Sequence, residues 1–342
     1  MTDPILVDVT RGDLVESSHA GALAVSDASG RLILALGDVS RGVFPRSAVK
    51  ALQALPLIET GAADRYGLTD AEIALACASH RGEPLHVETA RGALAKAGRD
   101  EACLECGVHW PSNEEVMRGL AQRGEKPTQL HNNCSGKHSG FICTACHEGE
   151  DPKGYVKPDH KVQRRVRAAL SETMGVAIDD RAMGVDGCSI PTYATPLSAT
   201  ARAFARFATG EGFDSTRAQA AKRIRAAVAA HPFMVSGSGK FDTVLMGALK
   251  ERAFIKTGAE GYYCAALPEL GLGVALKCND GAGRAAEVVM ASVISALLPL
   301  NGDERKVVDS ARRVTMSNWN KIVVGELRAS LDLTKALEAA RV

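Results

Sequence analysis

The order in which extended and helical patterns follow one another constrains this chain most. Extended patterns come first: Ile5 to Thr10, then Gly21 to Ser26 and Arg31 to Leu36 on either side of Asp27-Ala28-Ser29-Gly30, which has hairpin-turn composition. A long helical stretch follows. Pro45 sits where a first-turn proline would sit, ahead of an Ala/Leu-rich segment reaching Leu55. Thr69 and Glu72 have capping-box spacing, and Ser112 and Glu115 repeat it. Further helices are predicted around 140–147, 160–173, 197–208, 215–229 and 241–248. Extended character returns at Ala253 to Lys256, Tyr262 to Leu267 and Leu272 to Cys278. An apolar helix then runs from Gly283 to Leu297, and the polar tail after Asn301 is predicted helical from about Asn320.

That order is not the βα alternation of a Rossmann domain, and no Gly-x-Gly-x-x-Gly follows the first strand. It predicts an α+β fold in which N-terminal and C-terminal strands pair in one antiparallel sheet covered by helices, with a helical middle lobe. The expected organisation is a single domain over 1–342, with one sub-lobe of about 1–60 plus 250–342 and another of 61–249. Lys+Arg number 41 against 40 Asp+Glu, and aromatic residues are 4%, so neither a phosphate-tracking surface nor a base-stacking platform is expected, and no nucleic-acid partner. The N-terminal region has no cationic segment ahead of an apolar run, and no apolar stretch reaches about 18 residues. The expectation is a cytoplasmic protein with no membrane partner. In that reducing setting the nine cysteines read as free thiols, ligands or nucleophiles rather than disulfides.

Four segments carry chemistry. Ser47-Ala48-Val49-Lys50 puts a hydroxyl and an amine on one face of a helix start, and a neutral lysine can serve as the base for a serine. Lys256-Thr257-Gly258 closes a short apolar strand, where glycine lets the backbone approach a ligand. A serine-lysine helix start with a late strand-end KTG is similar to serine β-lactamases and penicillin-binding proteins. Their middle S-x-N element is absent, and Ser79-His80-Arg81 stands in the comparable region. The densest segment is His131-Asn132-Asn133-Cys134-Ser135-Gly136-Lys137-His138-Ser139-Gly140, a loop entering a helix. The glycine-rich Asp186-Gly187-Cys188-Ser189-Ile190-Pro191 can bring Cys188 towards Cys134. Two thiolates there can bind zinc, with Asp186, His131, His138 or Lys137 nearby.

Together, SRGVFPRSAVK at 40–50, HNNCSGKHSG at 131–140, DGCSIP at 186–191 and KTGAEG at 256–261 closely resemble the Rhizobium-type L-asparaginases, the thermolabile asparaginase II family. The resemblance runs from about residue 5 to about 300. It implies a serine β-lactamase-like fold, a homodimer, and hydrolysis of L-asparagine to L-aspartate and ammonia. It implies serine-lysine pairs at Ser47 with Lys50 and at Ser79 with Lys256, and zinc held by Cys134, Lys137 and Cys188. The family's aspartate beside the second cysteine falls on Asp186. Some members carry a cysteine after a glycine-rich loop, but the corresponding stretch here, Ser236 to Asp242, has none. Arg46, Asp186 and His138 are the candidate substrate-binding residues, Arg46 through bidentate bonds to a carboxylate.

Other readings compete. Cys103-x2-Cys106 with Cys143-x2-Cys146 has four-cysteine zinc spacing. His80 and His86 read as surface or helix-end residues, Arg164-Arg165-x-Arg167 as a solvated helix face, and Tyr262 and Tyr263 as packing or dimer-surface residues. A serine esterase or amidase for another small substrate, or a β-lactamase-like binding protein without catalysis, are the functional alternatives. The retained serine-lysine positions and the Cys134-Lys137-Cys188 set count against them.

Overall fold

In a computed structural model, which describes residues 3–340, the chain begins with β1 (Ile5–Arg11), β2 (Leu14–Asp27), β3 (Leu32–Leu36) and β4 (Gly42–Val43). A one-turn 3-10 helix at Arg46–Val49 leads into α1 (Lys50–Gln53), α2 (Leu55–Glu59), α3 (Ala62–Arg65), α4 (Asp70–Ala76), α5 (Pro84–Lys96), α6 (Glu114–Gln122), α7 (Ser135–His147) and α8 (Lys161–Met174). Next come β5 (Met183–Val185), β6 (Pro191–Tyr193), β7 (Thr195–Pro196), α9 (Leu197–Thr209), α10 (Ser215–Ala230), α11 (Pro232–Ser236) and α12 (Phe241–Leu249). The chain closes with β8 (Phe254–Gly258), β9 (Tyr262–Leu267), β10 (Leu272–Cys278), α13 (Gly283–Leu297), α14 (Gly302–Arg312), β11 (Arg313–Ser317), β12 (Val323–Ala329) and α15 (Leu331–Ala339). No helix among the described residues is long and apolar enough to cross a membrane. Two compact units divide the chain: a sheet unit of 3–48, Thr195–Thr209 and 255–340, and a helical unit of Val49–Ala194 and Gly210–Phe254.

The sheet unit is built on eight strands in the order β11-β12-β1-β2-β10-β9-β8, with β3 also on β2. The pairs β1–β12, β1–β2, β2–β10, β10–β9, β11–β12 and β2–β3 are antiparallel. Strand β2 spans 14 residues because it serves two neighbourhoods. Its first half pairs with β1, from Arg11↔Leu14 to Ile5↔Ala20. Its second half pairs with β10, from Cys278↔Gly21 to Leu272↔Asp27, while β3 takes over the side that β1 vacates. All six residues of β9 are buried, the mark of a strand covered on both faces. The buried apolar stripe of α9, including Leu197, Ala201, Phe204 and Ala208, packs on this sheet, as does α13.

The helical unit places α7 against α4 and α5. Helix α4 starts with the predicted capping box: Thr69 N donates to Glu72 Oε2 at 2.7 Å and Glu72 N to Thr69 Oγ1 at 3.4 Å. The second predicted cap shifts by one residue. Asn113, not Ser112, accepts from the N–H groups of Glu115 and Val116, since a side-chain oxygen caps only from the residue just outside the first turn.

Three other expectations need correction. The segment from Pro45 to Leu55 is not one helix: Arg46 has φ 51°, outside the helical region, and Pro56, at the start of α2, cannot donate the N–H that would continue α1. The tail after Asn301 is helix α14, then the hairpin β11–β12, then α15, rather than a polar stretch turning helical at Asn320. And His80 and His86 are buried rather than at the surface, with rings stacked at 4.9 Å, although His86 does stand at a helix end, in the first turn of α5. Burial is tolerated because each ring has hydrogen bonds at both nitrogens.

Candidate active site

The 131–140 segment divides into residues that build the loop and residues left for chemistry. Asn132 builds: its Oδ1 accepts from Cys134 N at 2.9 Å, and its Nδ2 donates to the carbonyls of Cys106 and Gly107. Ser135 donates to Leu130 O at 3.0 Å and lies 2.9 Å from His80 Nε2. Gly136 is a packing requirement: a Cβ there would lie 2.4 Å from both the backbone oxygen and the Cγ of Leu75, so only glycine lets α7 close onto α4. Asn133 O accepts from His80 N at 3.1 Å, and Ser79 N donates to Val235 O at 2.8 Å, which fixes Ser79 beside the loop.

What remains of the segment converges with Lys50. This lysine is fully buried, and its Nζ donates to Ala78 O at 2.5 Å, to Ser79 Oγ at 3.0 Å and to Cys134 Sγ at 3.1 Å. These three acceptors surround the nitrogen. Lys137, also buried, donates to Cys188 Sγ at 3.0 Å. Cys188 is delivered by the β5–β6 hairpin, whose tip closes through Ser189 N to Asp186 O at 2.9 Å, with Ser189 at φ 76°. Within the helical unit the structure thus brings together Lys50, Ser79, Cys134, Lys137 and Cys188.

The electrostatics follow from these contacts. A hydrogen bond from the Cys188 thiol holds Cys134 well below the ordinary thiol range; burial opposes this, and Lys50 and Lys137 add to it. Cys188 moves the other way, raised by that shared proton and by burial. Burial works against the Lys137 ammonium, but Cys188, Cys134 and Asp186 outweigh it and keep the amine protonated. His138, fully buried, is held neutral by burial and by Lys137 and Lys50. The pair therefore reads as a thiolate at Cys134 bonded to a thiol at Cys188, a donor set a soft cation can take over once the lysine gives up its proton. Among the described residues no group of three or more His, Cys, Asp or Glu can hold a metal. This excludes the four-cysteine site: Cys106 and Cys143 donate to different carbonyls, of Gln129 and Ala93.

The sheet unit holds Arg46, Ser47 and Lys256. Lys256 is fully buried on β8, with Nζ 2.9 Å from Thr257 O. The strand runs tightly beside the serine-bearing turn. A Cβ on Gly258 would lie 2.5 Å from Pro45 O and 3.2 Å from the Ala48 Cβ, so the glycine of KTG permits the approach. Ser47 and Ser79 are both half-buried. Reasoning from sequence missed His80, Asn132 and Tyr155. Asn132 and His80 had a signal, standing inside or beside the dense segments; Tyr155 had none.

A serine-lysine contact beside a thiol pair is the setting of a nucleophilic hydrolase. The family model described as L-asparaginase II matches residues 7–329, and the chain belongs to that family. None of the curated proteins compared with it matches. Membership supports asparaginase-type amidohydrolase activity.

Proposed function

We propose that the protein hydrolyses L-asparagine to L-aspartate and ammonia through serine-lysine chemistry. The observation that carries this is the buried Lys50 Nζ 3.0 Å from Ser79 Oγ: in its neutral form this amine is a base within reach of a hydroxyl. A primary amide is a poor electrophile with a poor leaving group. In this reading Ser47 attacks the amide carbon, its proton passing to the neutral amine of Lys50. The carbon–nitrogen bond breaks as nitrogen takes a proton and leaves as ammonia, and water then cleaves the aspartyl ester. Ser79 and Lys256 relay protons and help activate that water. Arg46, Asp186 and His138 hold the amino-acid end. The roles of Arg46, Ser47 and Lys256 are assigned from the sequence and are read by substitution.

Cys134, Lys137 and Cys188 would hold zinc, and the thiolate already favoured at Cys134 supports the fit. When bound, the metal would supply a fixed positive charge for substrate oxygen. Chelation is then expected to lower affinity more than turnover, and zinc loading that leaves no metal in elemental analysis rejects the site. The serine β-lactamase-like arrangement belongs to the same proposal. It is supported by an antiparallel sheet that joins both ends of the chain and ends in the KTG strand beside the serine turn. A cytoplasmic setting accords with nine free cysteines. A homodimer is supported by the outer strand β11: it has neither proline nor lysine, Arg313 is tied to Glu326, and Trp319 in the adjoining turn is fully exposed. Sedimentation of Trp319→Lys as a monomer, against a dimeric parent, checks it.

The test of function is ammonia release from asparagine, glutamine and p-nitrophenyl acetate. Glutamine is expected to be far poorer, because one further methylene displaces its amide. Activity no greater than that of a Ser47→Ala, Ser79→Ala double variant rejects the proposal. Mass spectrometry of quenched reactions then reads the order: an adduct on Ser47 supports it, and one on Ser79 inverts the two serines.

A further inference from the structure

Two buried polar groups of the helical unit, Tyr155 and His138, form a directed chain of hydrogen bonds. Tyr155 has no exposed surface. Its Oη accepts from Glu105 N at 2.9 Å and lies 2.6 Å from His138 Nδ1. Oη already receives one N–H, and its own hydrogen finds an acceptor at 2.6 Å only if it goes to Nδ1; in that arrangement, the one in which the hydroxyl is satisfied, Nδ1 carries the lone pair. The ring proton of His138 is then on Nε2. That Nε2 is buried and has no hydrogen-bond partner among the described residues. Buried N–H groups without partners are rare and call for an explanation. This one belongs to the residue after Lys137, one helical turn beyond Cys134.

We propose that Tyr155 is a positioning residue that locks His138 as the Nε2–H tautomer and so reserves that N–H for an acceptor oxygen of the bound amino acid, a carboxylate or amide oxygen. The proposal rests on the asparagine reading above for the identity of the ligand. The tautomer matters because the alternative would present a lone pair, suited to an ammonium and not to an oxygen. Tyr155 is itself held: Gln163 Nε2 donates to its carbonyl at 2.9 Å, and Gly154 N to Glu105 Oε1 at 2.7 Å, so the donor to Oη is also fixed. The two rings meet edge-on, with centroids 5.3 Å apart.

Nitrogen-15 NMR of the imidazoles in the full chain tests this, the His138 signal being identified by its loss in His138→Asn. The parent is expected to show a bare Nδ1 and a protonated Nε2. Tyr155→Phe is expected to release the lock, giving mixed or Nδ1–H signals, and to raise KM for asparagine roughly tenfold with a smaller change in kcat. His138→Gln, whose amide lies near the Nε2 position, is expected to keep more affinity than His138→Asn, and this pair answers the question even where Tyr155→Phe does not fold. A parent signal of Nδ1–H type, an Nε2–H signal unchanged in Tyr155→Phe, or equal KM values for the Gln and Asn variants overturns the proposal. Absence of ammonia release by the parent defeats the activity reading alone, since the NMR comparison still decides the tautomer.

Discussion

Cys134 and Cys143 stand at the N-cap and in the interior of the same helix, α7, and both are buried, yet their thiols are driven in opposite directions. Burial pushes Cys143 up to about 12, and its thiol donates to the Ala93 carbonyl, an acceptor that favours the thiol over the thiolate. Cys134 meets the same desolvation but receives a hydrogen bond from Cys188 and lies beside Lys50 and Lys137, and it falls well below the ordinary range. Depth in the protein therefore does not decide whether a cysteine is inert or chemical. The donors facing it decide.

The largest expected effect comes from removing the donor that Cys134 and Ser79 share. Lys50→Met should cut turnover by about 10²–10⁴-fold. It should also weaken the thiolate absorbance near 240 nm that is expected of Cys134 in the parent. Full activity in this variant would break both the proposed chemistry and the contrast between the cysteines. Next, Cys134→Ala and Cys188→Ala should each raise KM by about tenfold or more, roughly 1.4 kcal/mol, in steady-state assays with added zinc; parent-like values would remove the thiols from the site. Cys143→Ala should do the reverse. Activity should persist, while urea denaturation shows a loss of about 1 kcal/mol from one methyl-sized void.

The effect confined to the narrowest conditions is an alkaline slope. Cys143, Cys106 and Cys278 are each raised from an ordinary value of 9.0 to about 12 in the folded chain. Between those values the unfolded chain has lost thiol protons that the folded chain retains, so stability falls as pH rises from about 9 to 12. Cys143→Ala should flatten that fall by up to roughly 1.4 kcal/mol per pH unit. An unchanged slope in urea titrations at pH 9, 10 and 11 would show that burial does not govern this thiol.

Legibility in the sequence followed the range of the interactions involved. Thr69 and Glu72 were readable because a capping box closes within three positions. Strands β9 and β10 and helix α13 were readable because they are apolar at most positions. Strands β11 and β12 were not: all but one residue of β11 is exposed, so its polar composition resembles a tail, and Asn318-Trp319-Asn320-Lys321 passed unread as a turn. In the site, the reactive residue types announced themselves, but their partnerships did not. The link from Lys50 to Cys134 spans a loop that Asn132 and Gly136 shape through contacts with Cys106, Gly107 and Leu75. Tyr155 sits in a polar stretch with no motif, and only its placement against His138 distinguishes it.

The register of β1 has a consequence for synthesis. Val7 pairs with Ala329, and Leu6 O accepts from Ser330 N, so β1 must wait for a partner strand made much later. About 320 residues separate them; at 5–20 residues per second the wait is roughly 16–64 s. Through that interval β1 has β2 on one side only, and its other edge stays open until β12 arrives. Chains arrested before Val323 therefore carry an unsealed sheet edge into the crowded cell, the kind of edge on which another chain's strand can pair.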